Sequence, residues 1–415
     1  LQTYIARAET GIFEPGAIVG LALTPAGPTR WYSLAGGPSE ETLQVVFDAL
    51  PPQAQRRLIE GPVVVRRGHA ARSTLLPGAR FPVRWEIAGQ TNIVTGETQG
   101  GAIEWPDRLP AGVWRLRLAD AAGTEEEVPL VSAPEKAFGG NFDRGWLLAV
   151  QLYGVRSTRN WGMGDFTDLA ELIDLAHRLG AEGVGLNPLH ALFDDRPGDC
   201  SPYSPNSRLF LNALYIDVEK LPECEVDAAT RETLAALRAG EAVDYVAAAR
   251  LKWRALRSAF AAFKAGAGPA RRQDFDRFRD ERAPLLWRFA CFEVLRRKFA
   301  RPWWEWPQEW RQPDDAQCAA LRNGPDAAEV EFVAFVQWTA DRQLGAAADL
   351  ARKLGMTVGL YLDVAVGVQA GGFDAWNEQA AISRHLGVGA PPDPLNTAGQ
   401  SWGLAGFNAA GLELQ

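Results

Sequence analysis

The sequence predicts an α/β fold on a parallel sheet, preceded by a small β-sandwich. Three observations lead there. Short apolar runs at 146–153, 183–188 and 358–362 lack in–out alternation, as expected of strands covered on both faces. A helix-patterned segment separates the first two, and strand–helix–strand order implies parallel pairing with a right-handed crossover. Before residue 137 the texture differs: segments at 61–66, 81–87, 112–118 and 127–131 are short, mostly alternating and bounded by Gly, Pro and Asn, the pattern of a β-sandwich.

Within 1–137, Ser39-Glu40-Glu41-Thr42 precedes Leu43, Val46, Phe47 and Leu50, which reads as one capped amphipathic helix ahead of the strands. Residues 134–144 carry Pro134, Gly139, Gly140 and Asn141 and read as a connector to a second unit, 138–415. After the first buried strand, Asp165 is placed to cap a helix with Phe166, Leu169, Leu172, Ile173, Ala176 and Leu179 on one face, and Gly180 stops it. Beyond the second strand lie Asn187-Pro188-Leu189-His190 and then a hydroxyl-rich loop, 200–208, in which Tyr203 stands between Pro202 and Pro205. Proline fixes the backbone, so such a loop can present pre-organised donors and a stacking face to a sugar.

From about 221 to 344 strand signals vanish. Trp253, Leu256, Phe260 and Phe263 share one helical face; Leu285, Phe289, Phe292 and Leu295, with Trp287 flanking, share a second; Val333, Val336 and Ala340 share a third. This is a helical insertion between two strands, because structureless loops of that length are rare. Trp303, Trp304, Trp306 and Trp310 form an aromatic patch that reads as helix-packing core. The third strand ends at a lone carboxylate, Asp363. Ligands bind beyond the carboxyl ends of parallel strands; Asp363 reads either as such a site residue or as a cap for the next loop. The stretch 389–403, with three prolines between flanking glycines, reads as a shaped exposed loop offering the Gln400 amide and the Trp402 face.

Composition narrows the function classes. Hydrophobic residues are 47% and charged residues 23%, ordinary for a globular protein. A net charge of -8 argues against a nucleic-acid partner. No apolar run approaches a membrane span, and no signal-peptide pattern opens the chain. Cys200, Cys224, Cys291 and Cys318 lack metal spacing and read as reduced thiols of a cytoplasmic protein. The four His are scattered, so no metal site and no cofactor are expected. The 15 Trp tilt the reading toward carbohydrate.

The ordered motifs closely resemble the amylomaltases, 4-α-glucanotransferases of glycoside hydrolase family 77, and among them the bacterial maltodextrin-utilisation branch with an N-terminal extension. They are Leu152-Tyr153 with Asn160-Trp161-Gly162-Met163-Gly164-Asp165-Phe166; Gly185-Leu186-Asn187-Pro188-Leu189-His190-Ala191-Leu192; Ser201-Pro202-Tyr203-Ser204-Pro205; Gly359-Leu360-Tyr361 with the segment 363–367; and Gly389-Ala390-Pro391-Pro392-Asp393 with Gly399-Gln400, Trp402 and Gly403. The N-terminal third matches only loosely. The resemblance implies a TIM-type (β/α)8 barrel of which the first strands are present, and a retaining double displacement between maltooligosaccharides. It implies that Asp363 hydrogen-bonds the sugar beside the scissile bond, that Ser201 and Tyr203 line the donor cleft, and that Gln400 and Trp402 overhang the acceptor side. Asn187 and His190 complete the candidate substrate-binding set.

The family's nucleophile sits in an Arg-Ile-Asp-His motif and its acid/base in a Glu-Asp-Leu-Gly motif, and a third Asp lies in a His-Asp pair; none of the three motifs occurs in these 415 residues. The expectation is therefore that the catalytic carboxylates lie beyond Gln415, that the chain is an N-terminal part of an amylomaltase, inactive alone, and that three strands leave an open sheet edge. Two other functions fit the residues: a hydrolase of the α-amylase superfamily, and a non-catalytic maltodextrin-binding protein.

Overall fold

The computed structural model describes residues 57–69, 71–89, 93–106, 109–137, 139, 144–390, 394–397, 399–408 and 411–412, with the backbone of three strands nearer the N-terminus, β1 (Tyr4–Ala6), β2 (Gly20–Thr24) and β3 (Gly27–Tyr32). The helix expected at 39–50 lies outside the described residues.

The strands β4 (Val63–Arg66), β5 (Ala71–Thr74), β6 (Val83–Ala88), β7 (Ile93–Thr98), β8 (Ala102–Trp105), β9 (Gly112–Ala119) and β10 (Glu125–Ala133) form a five-stranded sheet of order β4-β10-β9-β6-β7, with β5 and β8 paired separately. Alternation sorts the side chains. Val83 and Ile87 face a core shared with Leu116, Leu118, Val128, Leu130 and Ile103, whereas on the solvent face Arg84 pairs with Glu97, and Arg117 with Glu86 and Glu127.

The three apolar runs form one parallel sheet, β11 (Leu147–Val150), β12 (Gly183–Leu186) and β15 (Gly359–Leu362), in the order β11-β12-β15. The first run is a shorter strand than expected: the chain turns into a 3-10 helix at Leu152–Gly154. Helix α1 (Phe166–Arg178) makes the crossover from β11 to β12. Asp165 accepts from the Thr167 and Asp168 amides, the Asp165 amide donates to Asp168 Oδ2, and Gly180 beyond the helix end adopts φ +80°. Of the expected face, Leu179 is exposed, and the other five positions are buried or packed on the core.

Between β12 and β15 come a short hairpin, β13 (His190–Ala191) and β14 (Ser207–Leu211), and the helices α2 (Ala228–Ala239), α3 (Tyr245–Gly266), α4 (Pro269–Glu281), α5 (Leu285–Phe299), α6 (Gln308–Arg311), α7 (Asp315–Arg322) and α8 (Ala327–Lys353). Helix α8 has 27 residues, about 40 Å at 1.5 Å per residue. Its length lets it pack on α3, α4, α5 and α7 and also on α1 and β15, so one helix ties the insertion to the sheet. Trp306 is fully buried against Phe292, Phe299 and Trp376, which makes the aromatic patch core.

The short helix α9 (Phe373–Asn377) leads to β16 (Ile382–Ala390) and β17 (Gln400–Phe407), antiparallel partners, with β1 on the outer edge of β16. This corrects the expectation of a loop throughout 389–403: Gln400 and Trp402 stand on a strand. Prolines are confined to the connection, and Gly387, Gly389, Gly403 and Gly406 had diluted the alternation that marks a strand.

Candidate functional site

The register of the parallel sheet builds the site. Val150, Leu186 and Leu362 are mutual neighbours across the sheet. The next residues along the chain, Gln151, Asn187 and Asp363, therefore leave adjacent strands at one level, with strands about 4.8 Å apart.

Tyr203 bridges two of these strand ends. The Asn187 amide donates to its hydroxyl at 2.7 Å, and the hydroxyl donates to Asp363 Oδ2 at 3.1 Å. Pro202 and Pro205, on either side of Tyr203, are buried, and the Ser204 amide donates to Ser201 O at 3.2 Å. The Tyr203 ring is 45% exposed and Asp363 is half-buried, so the chain of bonds faces solvent along one side. Asp363 thus belongs to a strand-end cluster and does not cap the next loop by any bond described.

Asn206 anchors the far end of the loop. Its amide nitrogen donates to Glu293 Oε1 at 2.7 Å on α5, and its Oδ1 accepts from the Phe373 amide at 2.9 Å. The backbone approach is close: a Cβ on Gly372 would stand 2.3 Å from Asn206 O, so only glycine fits there. Gln369 donates to Ser204 O at 2.9 Å, and its backbone donates to Pro205 O at 3.0 Å. On β14, the Ser207 hydroxyl and the Arg208 amide donate to the Asp374 carboxylate. Burial pushes the Asp374 carboxyl above its ordinary value, against those two donors and the Arg208 charge.

His190 sits beside Asp363 without touching the Tyr203 hydroxyl by any bond described. Its Nε2 accepts from the Ala365 amide at 3.2 Å. Gln400 and Trp402 form a separate pair, the indole donating to Gln400 Oε1 at 3.0 Å, with Trp402 42% exposed. The Ala405 amide, farther along β17, donates to Val368 O at 2.8 Å. Gln400 stands five residues back along that strand, roughly 16 Å from this junction. The structure therefore unites Asn187, Tyr203 and Asp363, sets Ser201 and His190 at their margins, and holds Gln400 and Trp402 apart on the hairpin. Asn206, Arg208, Gln369 and Asp374 had not been assigned from sequence.

A cavity of about 50 Å³ lies behind the β13–β14 hairpin, lined among others by Tyr153, Tyr215, Tyr245, Glu293 and Gln337. That is room for a few waters. Burial pushes the Tyr245 hydroxyl up to about 12. Among the described residues no helix is long and apolar enough to cross a membrane, and no group of three or more His, Cys, Asp or Glu is disposed to hold a metal ion.

The glycoside hydrolase family 77 model, 4-alpha-glucanotransferase, matches residues 150–415. The 4-alpha-glucanotransferase of Haemophilus influenzae is 32% identical over 370 residues, 82% of this chain and 52% of its own length. That of Mycobacterium tuberculosis is 35% identical over 318 residues, 72% of this chain and 43% of its own. The chain thus spans about half the length of the curated relatives it matches. Among solved structures, the amylomaltase from Corynebacterium glutamicum superposes with a TM-score of 0.62 at 26% identity, over 92% of this chain and 55% of that one. The amylomaltase from Streptococcus agalactiae in complex with acarbose superposes with a TM-score of 0.53 at 19% identity, over 64% of this chain and 53% of that one, a likeness of fold.

Proposed function

From the premise that the chain belongs to the 4-alpha-glucanotransferases of glycoside hydrolase family 77, we propose that it carries the sugar-positioning part of an enzyme that moves α-1,4-glucan segments between maltooligosaccharides. The observation that supports this most is the Asn187–Tyr203–Asp363 chain, laid across two adjacent strand ends and open to solvent on one side. An ionised carboxylate accepts bonds from sugar hydroxyls, and such charge-assisted bonds are the strong ones. Asp363 accepts them while Tyr203 fixes its orientation, and the exposed ring of Tyr203 offers a stacking face. Trp402, on the hairpin, offers a second face for an acceptor glucan.

The reaction implied is a retaining double displacement. One carboxylate displaces the leaving glucan from the anomeric carbon, forming a glycosyl–enzyme bond while an acid protonates the departing oxygen. The same group, now a base, takes the proton of an incoming sugar hydroxyl, whose oxygen bonds to the anomeric carbon as the glycosyl–enzyme bond breaks and frees the carboxylate. Asp363 is a positioning group in this scheme, and no residue of this chain is assigned as nucleophile or acid/base. The reading divides the chain near residue 137, with the helical insertion at about 221–344 inside the second unit. Four free thiols support a reducing, cytoplasmic setting.

Two measurements on the 415-residue chain test this. Titration with maltoheptaose, followed by Trp fluorescence with Trp402→Ala as control, should report binding. Incubation with maltotriose should give no redistribution into other chain lengths. Redistribution would sink the claim that the chain alone is inactive; absence of any maltoheptaose binding would sink the sugar-site assignment.

A further inference from the structure

Asp363 stands past the end of its strand, in a segment that packs little of itself. Val364 and Val366 are exposed, while Ala365 between them is buried. A buried peptide needs partners for its N–H and C=O, and here two side chains of the β13–β14 hairpin supply them. His190 Nε2 accepts from the Ala365 amide at 3.2 Å. Arg208 Nη1 donates to Ala365 O at 3.3 Å and approaches Val366 O at 3.5 Å. Arg208 is itself held in place. Its Nε lies 3.8 Å from Asp374 Oδ2, and its guanidinium sits 5.3 Å from the centre of the Phe407 ring on β17. One arginine thus joins the Asp363 segment, α9 and the hairpin that carries Gln400 and Trp402.

We propose that His190 and Arg208 are positioning residues that clamp the Ala365 peptide from both sides, hold Asp363 against Tyr203, and do so only while the His190 imidazole is unprotonated. The inference rests on the reading of Asp363 as a sugar-binding group. It shifts His190 from contact with the sugar to control of the residue that makes contact. The chemistry is that of the two ring nitrogens. A neutral imidazole whose Nε2 accepts carries its proton on Nδ1. Protonation turns Nε2 into a donor, which then faces the Ala365 N–H, also a donor. It also sets a second cation beside the Arg208 guanidinium. Both changes open the clamp.

The charged groups facing the imidazole are Arg208 from β14 and Asp363 from beyond β15. Burial, reinforced by Arg208 and opposed by Asp363, holds His190 below its ordinary 6.5. The clamp is therefore closed at neutral pH and opens only at a lower pH than an ordinary imidazole would require.

Maltoheptaose affinity of the 415-residue chain, measured from pH 7.5 to 5, tests the clamp alongside His190→Gln and His190→Leu. Glutamine Oε1 accepts at every pH, whereas leucine never does. The expected wild-type affinity falls several-fold toward pH 5. His190→Leu should be weak throughout, by about tenfold at pH 7.5. His190→Gln should recover most of that loss and flatten the profile. Long-range nitrogen–proton spectra of the chain, which has 4 His, should find Nε2 of His190 unprotonated at pH 7.5 and the Ala365 amide shifting as the ring titrates. A His190→Gln profile that keeps the wild-type pH dependence, or a His190→Leu variant that binds like wild type, overturns the clamp. Failure of the wild type to bind at pH 7.5, with the Ala365 amide still following the ring, overturns instead the sugar-site reading beneath it.

Discussion

At the carboxyl end of β11, Arg159 is ringed by three carboxylates; one and two strands over, Asn187, Tyr203 and Asp363 form a line. Both clusters follow the carboxyl ends of strands in one parallel sheet, yet they are built in opposite ways. Arg159 donates to Asp165, Asp168 and Asp217, each about 1% exposed. The acids are further bonded by Asn160, Thr167 and backbone amides. Lys252, wholly buried nearby, donates to Leu214 O at 2.6 Å and Ile216 O at 2.9 Å. The carboxylates of that cluster are already engaged and shielded from water. In the other, Asp363 and Tyr203 keep lone pairs and ring faces toward solvent. Strand-end placement alone therefore does not mark a binding site; capacity left over for a ligand does.

The largest effect should come from the closed cluster. Arg159→Ala leaves three nearly buried carboxylates without the guanidinium that bonds all of them. Removing one partner of a buried ion pair costs about 3–5 kcal/mol. Urea unfolding should report a loss of that order, with maltoheptaose affinity of the remaining folded chain little changed. A weakened affinity with intact stability would erase the distinction between the two clusters.

The next effect is on binding. Tyr203→Phe deletes the hydroxyl that links Asn187 to Asp363 but keeps the exposed ring. Stability should move by no more than about 0.5 kcal/mol, as for surface substitutions generally. Maltoheptaose affinity should fall about tenfold, because a bond that orients a charged acceptor is worth about 1.4 kcal/mol. Calorimetric titration of the two proteins side by side measures the ratio. Equal affinities would mean that Asp363 needs no orienting partner.

How much of this was legible follows from the range of each signal. The three parallel strands and the Asp165 cap are local patterns, four to a dozen residues long, and the sequence carries them openly. Asp363 was visible because a lone carboxylate closed an apolar run. The hairpin at β16 and β17 was not, because its glycines mask the period-2 alternation. Arg208 was invisible as a positioning residue for a different reason. Its partners, the carbonyls of Ala365 and Val366, lie 157 and 158 residues away, and Glu293 reaches Asn206 across 87. Only folding brings such groups together, so pattern reading finds the residues that end strands and misses the ones that hold those ends in place.

A third cluster, half-exposed, grades the comparison between the closed and open extremes. On α4, Asp274 accepts from Arg342 Nε at 2.8 Å and from the Trp338 indole at 2.9 Å, with a side chain 26% exposed. The Arg342 bond, first, and those from Trp338 and Arg277 hold its carboxyl down at about 2, against burial, from the ordinary 3.8. A carboxylate whose folded value is depressed stabilises the fold fully above its unfolded value and loses that contribution as the pH falls toward the folded one. The window here runs from about 3.8 down to about 2. Solvent screening keeps the size small, about 1 kcal/mol or less for a pair this accessible. Urea melts of the wild type and Asp274→Asn at pH 6 should differ by that amount, and the gap should narrow at pH 3. A gap as wide as that expected for Arg159→Ala would place Asp274 with the closed cluster; no gap at pH 6 would place it with the solvated surface and leave burial alone to separate the two strand-end clusters.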